Sequence, residues 1–220
     1  FHEGFDLPMF EAFTLLESDT GQTVLRAYYD RYVPIAAGHG GGFVLETPTW
    51  RANPDWGAKL GYDRSRLADV NRTATELMHQ IREAHETARF PIVISGCIGP
   101  RGDGYDPGTL MSPAEAEAYH AWQIGVFDDA GVDLVAAFTL TNSAEAIGVA
   151  RAAKSSSIPS VISFTLETDG RLPTGHSLAE AIETVDAETG GSPTYYMINC
   201  AHPTHFEATL KGDAAWTSRL

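Results

Sequence analysis

The chain has 220 residues and a formal net charge of −14, from 15 Lys and Arg against 29 Asp and Glu. Apolar residues make up 43% and charged residues 20%, the make-up of an ordinary globular protein long enough for one sizeable core. No basic cluster offsets the negative charge and no apolar run reaches the about 20 residues of a membrane span, which excludes nucleic acid and membrane as partners.

No signal-peptide pattern opens the chain. The two cysteines, Cys97 and Cys200, lie far apart and outside any C-x-x-C spacing, the usage of a reducing, cytoplasmic compartment. Phe1 to Leu16 mixes aromatics with Asp6-Leu7-Pro8 and reads as a loop running into a short apolar segment. Val24, Leu25, Tyr28, Tyr29 and Tyr32 recur at helical spacing and predict a helix over 19–37, capped by Asp19 or Thr20 and kinked or ended by Pro34. Glycines follow, then a first strand over 43–47, and an irregular stretch over 53–62. Asp63 opens a long helix with the apolar stripe Leu67, Val70, Leu77, Met78 and Ile81.

A second strand over 92–96 runs into a loop with four glycines between positions 96 and 104, where the backbone is closely approached or sharply turned. Ser112-Pro113-Ala114-Glu115 is a helix start, and that helix stops at Gly131. A third strand occupies 133–138, Asn142 and Glu145 open a helix to about Lys154, and a fourth strand spans 160–165. Ser177 and Glu180 start the next helix, Gly190-Gly191 close it, and Tyr195 to Asn199 form a fifth strand ending at Cys200.

Five unbroken apolar strands alternating with helices predict parallel strands buried on both faces, in a doubly wound sheet or a (β/α)8 barrel. No GxGxxG or phosphate loop favours the former. Polar residues close each strand: Glu46-Thr47, Ser95-Gly96, Thr139, Thr165 and Asn199-Cys200, at the end where a barrel carries its chemistry. A barrel wants about 250 residues, so the expectation is a single domain over 1–220, an incomplete (β/α)8 barrel with its first strand before Phe1 and its last strands after Leu220. By itself Cys200 reads as an inert buried thiol or as a metal ligand or nucleophile. Cys97 reads as packing, the glycines of 96–104 as turn geometry, and His202 and His205 as surface residues; Asp133 starts its strand, opposite the chemistry, and so does not pair with Glu46.

Thr47-Pro48-Thr49-Trp50, Ser95-Gly96-Cys97-Ile98-Gly99-Pro100 with Gly102-Asp103, Gly131-Val132-Asp133-Leu134 with Glu145-Ala146, Ser163-Phe164 and Ile198-Asn199-Cys200-Ala201-His202-Pro203 follow one another over residues 22 to 206. In this order they resemble the homocysteine S-methyltransferase family. The resemblance implies a zinc enzyme that moves a methyl group from a cationic sulfonium or ammonium donor to homocysteine or a related thiol, yielding methionine or a related thioether. It implies three thiolate ligands: Cys200 matches one, and a later Cys-Cys pair has no counterpart before Leu220. Soft thiolates suit zinc, and an open fourth position would admit and deprotonate a substrate thiol. Thr47, Trp50, Gly96, Phe138, Thr139, Thr165 and Asn199 are the expected substrate-binding residues, with Trp50 offering a ring to a cationic donor. No residue is singled out as acid or base.

One departure stands out. Phe138-Thr139 occupies the strand end where the family carries Glu-Thr, and a phenyl ring does not neutralise a substrate ammonium. A non-catalytic small-molecule-binding barrel is therefore the second reading. A barrel lyase would want a strand-end lysine, and Lys59, Lys154 and Lys211 all lie elsewhere. With one thiolate present, the chain as given is expected to hold no zinc and to be inactive, with open sheet edges covered by strand swapping, by homo-oligomerisation or by a further part of the protein.

Overall fold

A computed structural model describes residues 4–211 and 215–220; the first three residues of the opening 1–16 segment lie outside it. The chain divides into two compact units, Phe1–Ile98 with Val126–Leu134, and Gly99–Gly125 with Val135–Leu220.

In chain order, the first unit begins with two short 3-10 turns, Pro8–Phe10 and Ala12–Glu17, in place of a plain loop. Helix α1 (Asp19–Gly38) follows, then strand β1 (Phe43–Glu46), helix α2 (Pro54–Lys59), helix α3 (Arg64–His85) and strand β2 (Ile92–Ile98). Three local expectations are corrected. The cap of α1 is Ser18, whose hydroxyl accepts from the Gly21 amide, rather than Asp19 or Thr20. Pro34 lies inside α1 instead of ending it: only one backbone donor is lost there, and the neighbouring Val33, buried at 1% exposure, keeps the last turn anchored. The stretch 53–62 is not irregular, because Asn53 caps Trp56 and Pro54 sits at the first helical position of α2.

β1 and β2 run parallel, with Phe43 opposite Ile92 and Glu46 opposite Ser95. The predicted stripe of α3 is fully buried, and Asp63 caps that helix through the Arg66 amide. Asp133 ties the unit together at the strands' amino end, accepting from the Ile94 amide and from Arg82, each at 2.7 Å.

The second unit holds most of helix α4 (Pro113–Ala130), then strand β3 (Leu134–Leu140), helix α5 (Ser143–Ser155), strand β4 (Ser160–Thr165), helix α6 (Leu178–Thr189), strand β5 (Tyr195–Asn199) and the short helix α7 (Pro203–Phe206). β3 is parallel to β4 and β4 to β5. Ser177 and Glu180 form the predicted capping box, and α6 ends at Gly190 with φ 68°, a left-handed stop that glycine adopts freely. Asn142 caps α5, but Glu145 does not reciprocate; its carboxylate goes elsewhere, as described below. Phe164 and Tyr196, both buried, stack across β4 and β5 at 6.2 Å; each such ring contributes about 1.5–3 kcal/mol by burial.

Lys59 ends α2, Lys154 lies in the last turn of α5, and Lys211 follows α7, so none sits at a strand end. Among the described residues, no helix is long and apolar enough to cross a membrane. α5 approaches α4 so closely at Gly148 that a Cβ there would fall 2.4 Å from the Ala116 Cβ. Gly148→Val should therefore destabilise the protein by about 2 kcal/mol or more, read as a lowered midpoint in urea. An unchanged midpoint would mean that the helix pair separates without cost.

Candidate functional site

In the second unit, the carboxyl ends of the strands are organised by one amide. The Asn199 Oδ1 accepts from the Thr139 backbone N–H at 2.9 Å and from the Ser163 hydroxyl at 2.7 Å. Its Nδ2 donates to the Thr139 Oγ1 at 2.8 Å and to the Cys200 Sγ at 3.2 Å. Both residues flanking this amide are left-handed, Thr139 at φ 62° and Cys200 at φ 55°. That conformation costs a residue with a Cβ on the order of 1 kcal/mol, and it persists because the amide over-determines it. The register of β3 against β4 shifts between Ala137 and Leu140, and Thr139 sits in that irregularity.

The result is an exposed Cys200 thiol turned out of β5. Tyr105, from the glycine-rich loop, lies against it: the hydrogen bond to Cys200, followed by burial, pushes the phenol above its usual range. The loop is fixed at its root, where the Glu145 carboxylate accepts from the Arg101 amide at 2.7 Å and meets the buried His120 Nε2 at 2.9 Å. Tyr105 was not legible as a site residue, since only the folded loop brings it to the sulfur. Thr165 is 1% exposed, and its hydroxyl has no partner among the described residues. Phe138 is half-buried beside Thr139. His202 caps α7 through the Thr204 amide, and its ring centre lies 5.9 Å from that of His205.

In the first unit, the hydroxyls of Thr47 and Thr49 are 2.7 Å apart and clamp Cys97, whose amide donates to Thr47 and whose carbonyl accepts from Thr49. The Thr47 hydroxyl is thus engaged by the protein itself. Gly96 faces outward: a Cβ there would lie 2.6 Å from the Phe127 ring, so this glycine permits helix packing. Trp50 already carries a cation, the Arg51 guanidinium 4.7 Å from its ring centre, and Arg51 also covers Trp56 at 3.7 Å. The Cys97 thiol is buried, and burial, with Glu46 nearby, pushes its pKa well up.

Among the described residues, no group of three or more His, Cys, Asp and Glu could hold a metal ion. Cys200 offers one soft ligand, and the residues present do not make a complete zinc site.

Parallel strands in βα succession, with polar strand ends and a presented thiol, define a (β/α)8-type enzyme scaffold. The profile of the homocysteine S-methyltransferases matches residues 6–218, and the chain belongs to this family of methyltransferases. Among solved structures, the homocysteine methyltransferase MmuM from Escherichia coli matches in its oxidized form, at 24% identity and a TM-score of 0.73, over 90% of this chain and 69% of that one. Its metallated form matches at 24% and 0.73, over 90% and 70%. Its apo form matches at 23% and 0.67, over 91% and 68%. At this identity the likeness shows the fold: five parallel strands with helices, in the manner of an incomplete (β/α)8 barrel. No curated protein matched the chain.

Two outcomes follow from this geometry. Asn199→Asp keeps both acceptor bonds, loses both donations and adds charge beside the thiol; it should cost about 1–3 kcal/mol in a urea titration. Full retention of stability would show that the amide organises nothing. Glu11, at 0% exposure with neither oxygen hydrogen-bonded among the described residues, is pushed up to about 7 by burial, against the pull of Arg51 and Lys59. Because the folded state holds this proton more tightly than the unfolded one, stability is lost as pH rises from the ordinary carboxylate range through 7. Glu11→Gln should raise the melting temperature at pH 8 and leave it nearly unchanged near pH 4; equal shifts at both would remove Glu11 as the cause.

Proposed function

We propose that the protein catalyses methyl transfer from a cationic sulfonium or ammonium donor to the thiol of homocysteine, giving methionine, with residues 1–220 in one barrel-type domain. Membership of the family carries this reading, and the presented Cys200 thiol supports it. Zinc belongs to the proposal as the group that would activate the substrate thiol, with Cys200 as one ligand and the remaining ligands not among the described residues. What this chain's own residues do is orient. Asn199 aims the Cys200 sulfur, Tyr105 hydrogen-bonds to it, and the unpartnered Thr165 hydroxyl offers a polar contact to substrate. Phe138, half-buried in β3, adds no charge to that stretch of the strand. The site described is non-nucleic-acid and small-molecule in character, and the compartment read from cysteine usage is cytoplasmic.

Methionine formation from homocysteine with S-methylmethionine or betaine, followed by mass spectrometry in the protein carrying these residues, tests the reaction. Product that disappears in Cys200→Ser is the expected result, and product unaffected by that change would remove Cys200 from the chemistry. The 220-residue chain alone is expected to hold well under one equivalent of zinc by elemental analysis. A full equivalent lost in Cys200→Ser would show that it assembles a metal site from ligands that these contacts do not bring together. A non-catalytic binding barrel would bind homocysteine and form no product.

A further inference from the structure

Glu145 stands three residues after the cap of α5, Asn142, where a glutamate commonly turns back to the amide of the cap. Here the carboxylate turns away, and one oxygen takes two hydrogens. Its Oε1 accepts from the Arg101 backbone N–H at 2.7 Å and from the His120 Nε2 at 2.9 Å, since a carboxylate makes the ring nitrogen the donor. Both side chains are shut off from water, His120 at 0% and Glu145 at 6% exposure. The other ring nitrogen of His120, Nδ1, is buried with no hydrogen-bond partner among the described residues. A hydrocarbon ring would fill that space without the cost of an unpaired nitrogen, so what the histidine adds is its bond to Glu145.

A second hold lies one residue away. The Tyr119 ring, edge-on to His120 at 5.0 Å, has the Arg101 guanidinium over it, also at 5.0 Å. Arg101 is thus held at its amide from α5 and at its side chain from α4. From there the chain reaches Tyr105 in four residues, through Gly102 and Gly104, and the Asp103 Oδ1 accepts from the Tyr105 N–H at 2.9 Å to close a local turn. The phenol at the end of this turn hydrogen-bonds to the Cys200 sulfur. Four extended residues span about 13 Å, so a loop released at its root carries the phenol clear of the sulfur, and a loop held there keeps it in place. All of these residues belong to the second unit.

We propose that the buried His120–Glu145 pair holds the glycine-rich loop closed, so that Tyr105 guards one side of the otherwise exposed Cys200 sulfur. His120 and Glu145 are positioning residues: they act on the sulfur through the Arg101 amide. The meaning of the guard for catalysis, a limit on the size of what meets the sulfur, rests on the methyl-transfer reading above.

The test alkylates Cys200 in the protein carrying these residues, freed of metal with EDTA, using iodoacetamide and a fluorescein-linked iodoacetamide. In both reactions the thiolate displaces iodide, so the ratio of the bulky to the small rate cancels the thiolate fraction and leaves access. Peptide mass spectrometry reads Cys200, and labelling of the buried Cys97 reports loss of the fold. Tyr105→Ala should raise the ratio about threefold or more, and His120→Phe should raise it in the same direction. His120→Gln, which keeps an N–H near the Nε2 position, should return it toward wild type. In the Tyr105→Ala background His120→Phe should add nothing, because a guard already removed has no position to lose. An unchanged ratio in Tyr105→Ala overturns the guard, and additive effects, or none from His120→Phe, overturn the role of the pair. If His120→Phe labels Cys97 as well, Arg101→Pro decides instead, since it deletes the anchored N–H from an exposed loop position. A raised ratio there supports the anchor, and an unchanged one overturns it. Product formation is not read, so the methyl-transfer reading stands or falls separately.

Discussion

The strand ends of the second unit depend on a single planar amide. Asn199 uses both lone-pair directions of its oxygen and both hydrogens of its nitrogen on Thr139, Ser163 and Cys200. The bonds to Thr139 and Ser163 are part-buried, so removing the amide would strand those donors and acceptors rather than release them to water. Two residues with left-handed backbones lean on it, and neither is glycine. Strain of this sort survives only where the surroundings allow no alternative. It shows here as the direction in which a thiol points.

In the first unit the comparable problem is solved with hydroxyls and is left partly unsolved with carboxylates. Thr47 and Thr49 close the backbone of Cys97 completely, which explains why a T-x-T turn follows β1. Glu11 and Glu46 are both held near neutrality by burial, yet their surroundings differ. Two cations act on Glu11, and Arg51 is also spread over two tryptophan rings. A guanidinium so placed is oriented by stacking as much as by charge, which leaves the carboxylate attracted but not hydrogen-bonded.

The order of strands and helices was readable because parallel strands buried on both faces leave unbroken apolar runs, and because Ser112, Asn142 and Ser177 announce helix starts in three residues. α2 was missed for want of any apolar period: Asn53 and Pro54 build it from a cap and a fixed φ alone. At the site, residue types were legible and their directions were not. Gly96, Thr47 and Asn199 are expected at the substrate from the family resemblance. A Cβ at Gly96 would meet the Phe127 ring, and Thr47 and Asn199 also hydrogen-bond within the protein. A strand's two-residue period tells which residues share a face, but a bulge such as the one at Thr139 breaks that period without a sequence signal, since threonine is not a residue that invites φ above zero. Tyr105 depends on a loop anchored by Glu145, a residue whose sequence position shows a helix start and part of the family pattern but not this contact.

The reaction proposed above gives one account of the uncharged set around Cys200. In the proposed reaction a substrate thiolate takes a methyl group from a cation, and both charges fall away as the transition state is reached. A fixed charge beside the sulfur would hold the separated ions more tightly than the transition state and would slow the step, because only interactions that strengthen as the reaction proceeds accelerate it. The groups hydrogen-bonded around Asn199 and Cys200, namely Thr139, Ser163 and Tyr105, are all uncharged dipoles, and Phe138 beside them is a hydrocarbon ring. Dipoles aim the Cys200 sulfur without adding a charge to the strand end. A carboxylate at position 138 would recognise an ammonium but would also add a permanent charge to the strand end that carries the bulge and the amide hub. On the proposed reading, Cys200 would hold zinc, and the aromatic side chain at 138 adds no further charge to that strand end.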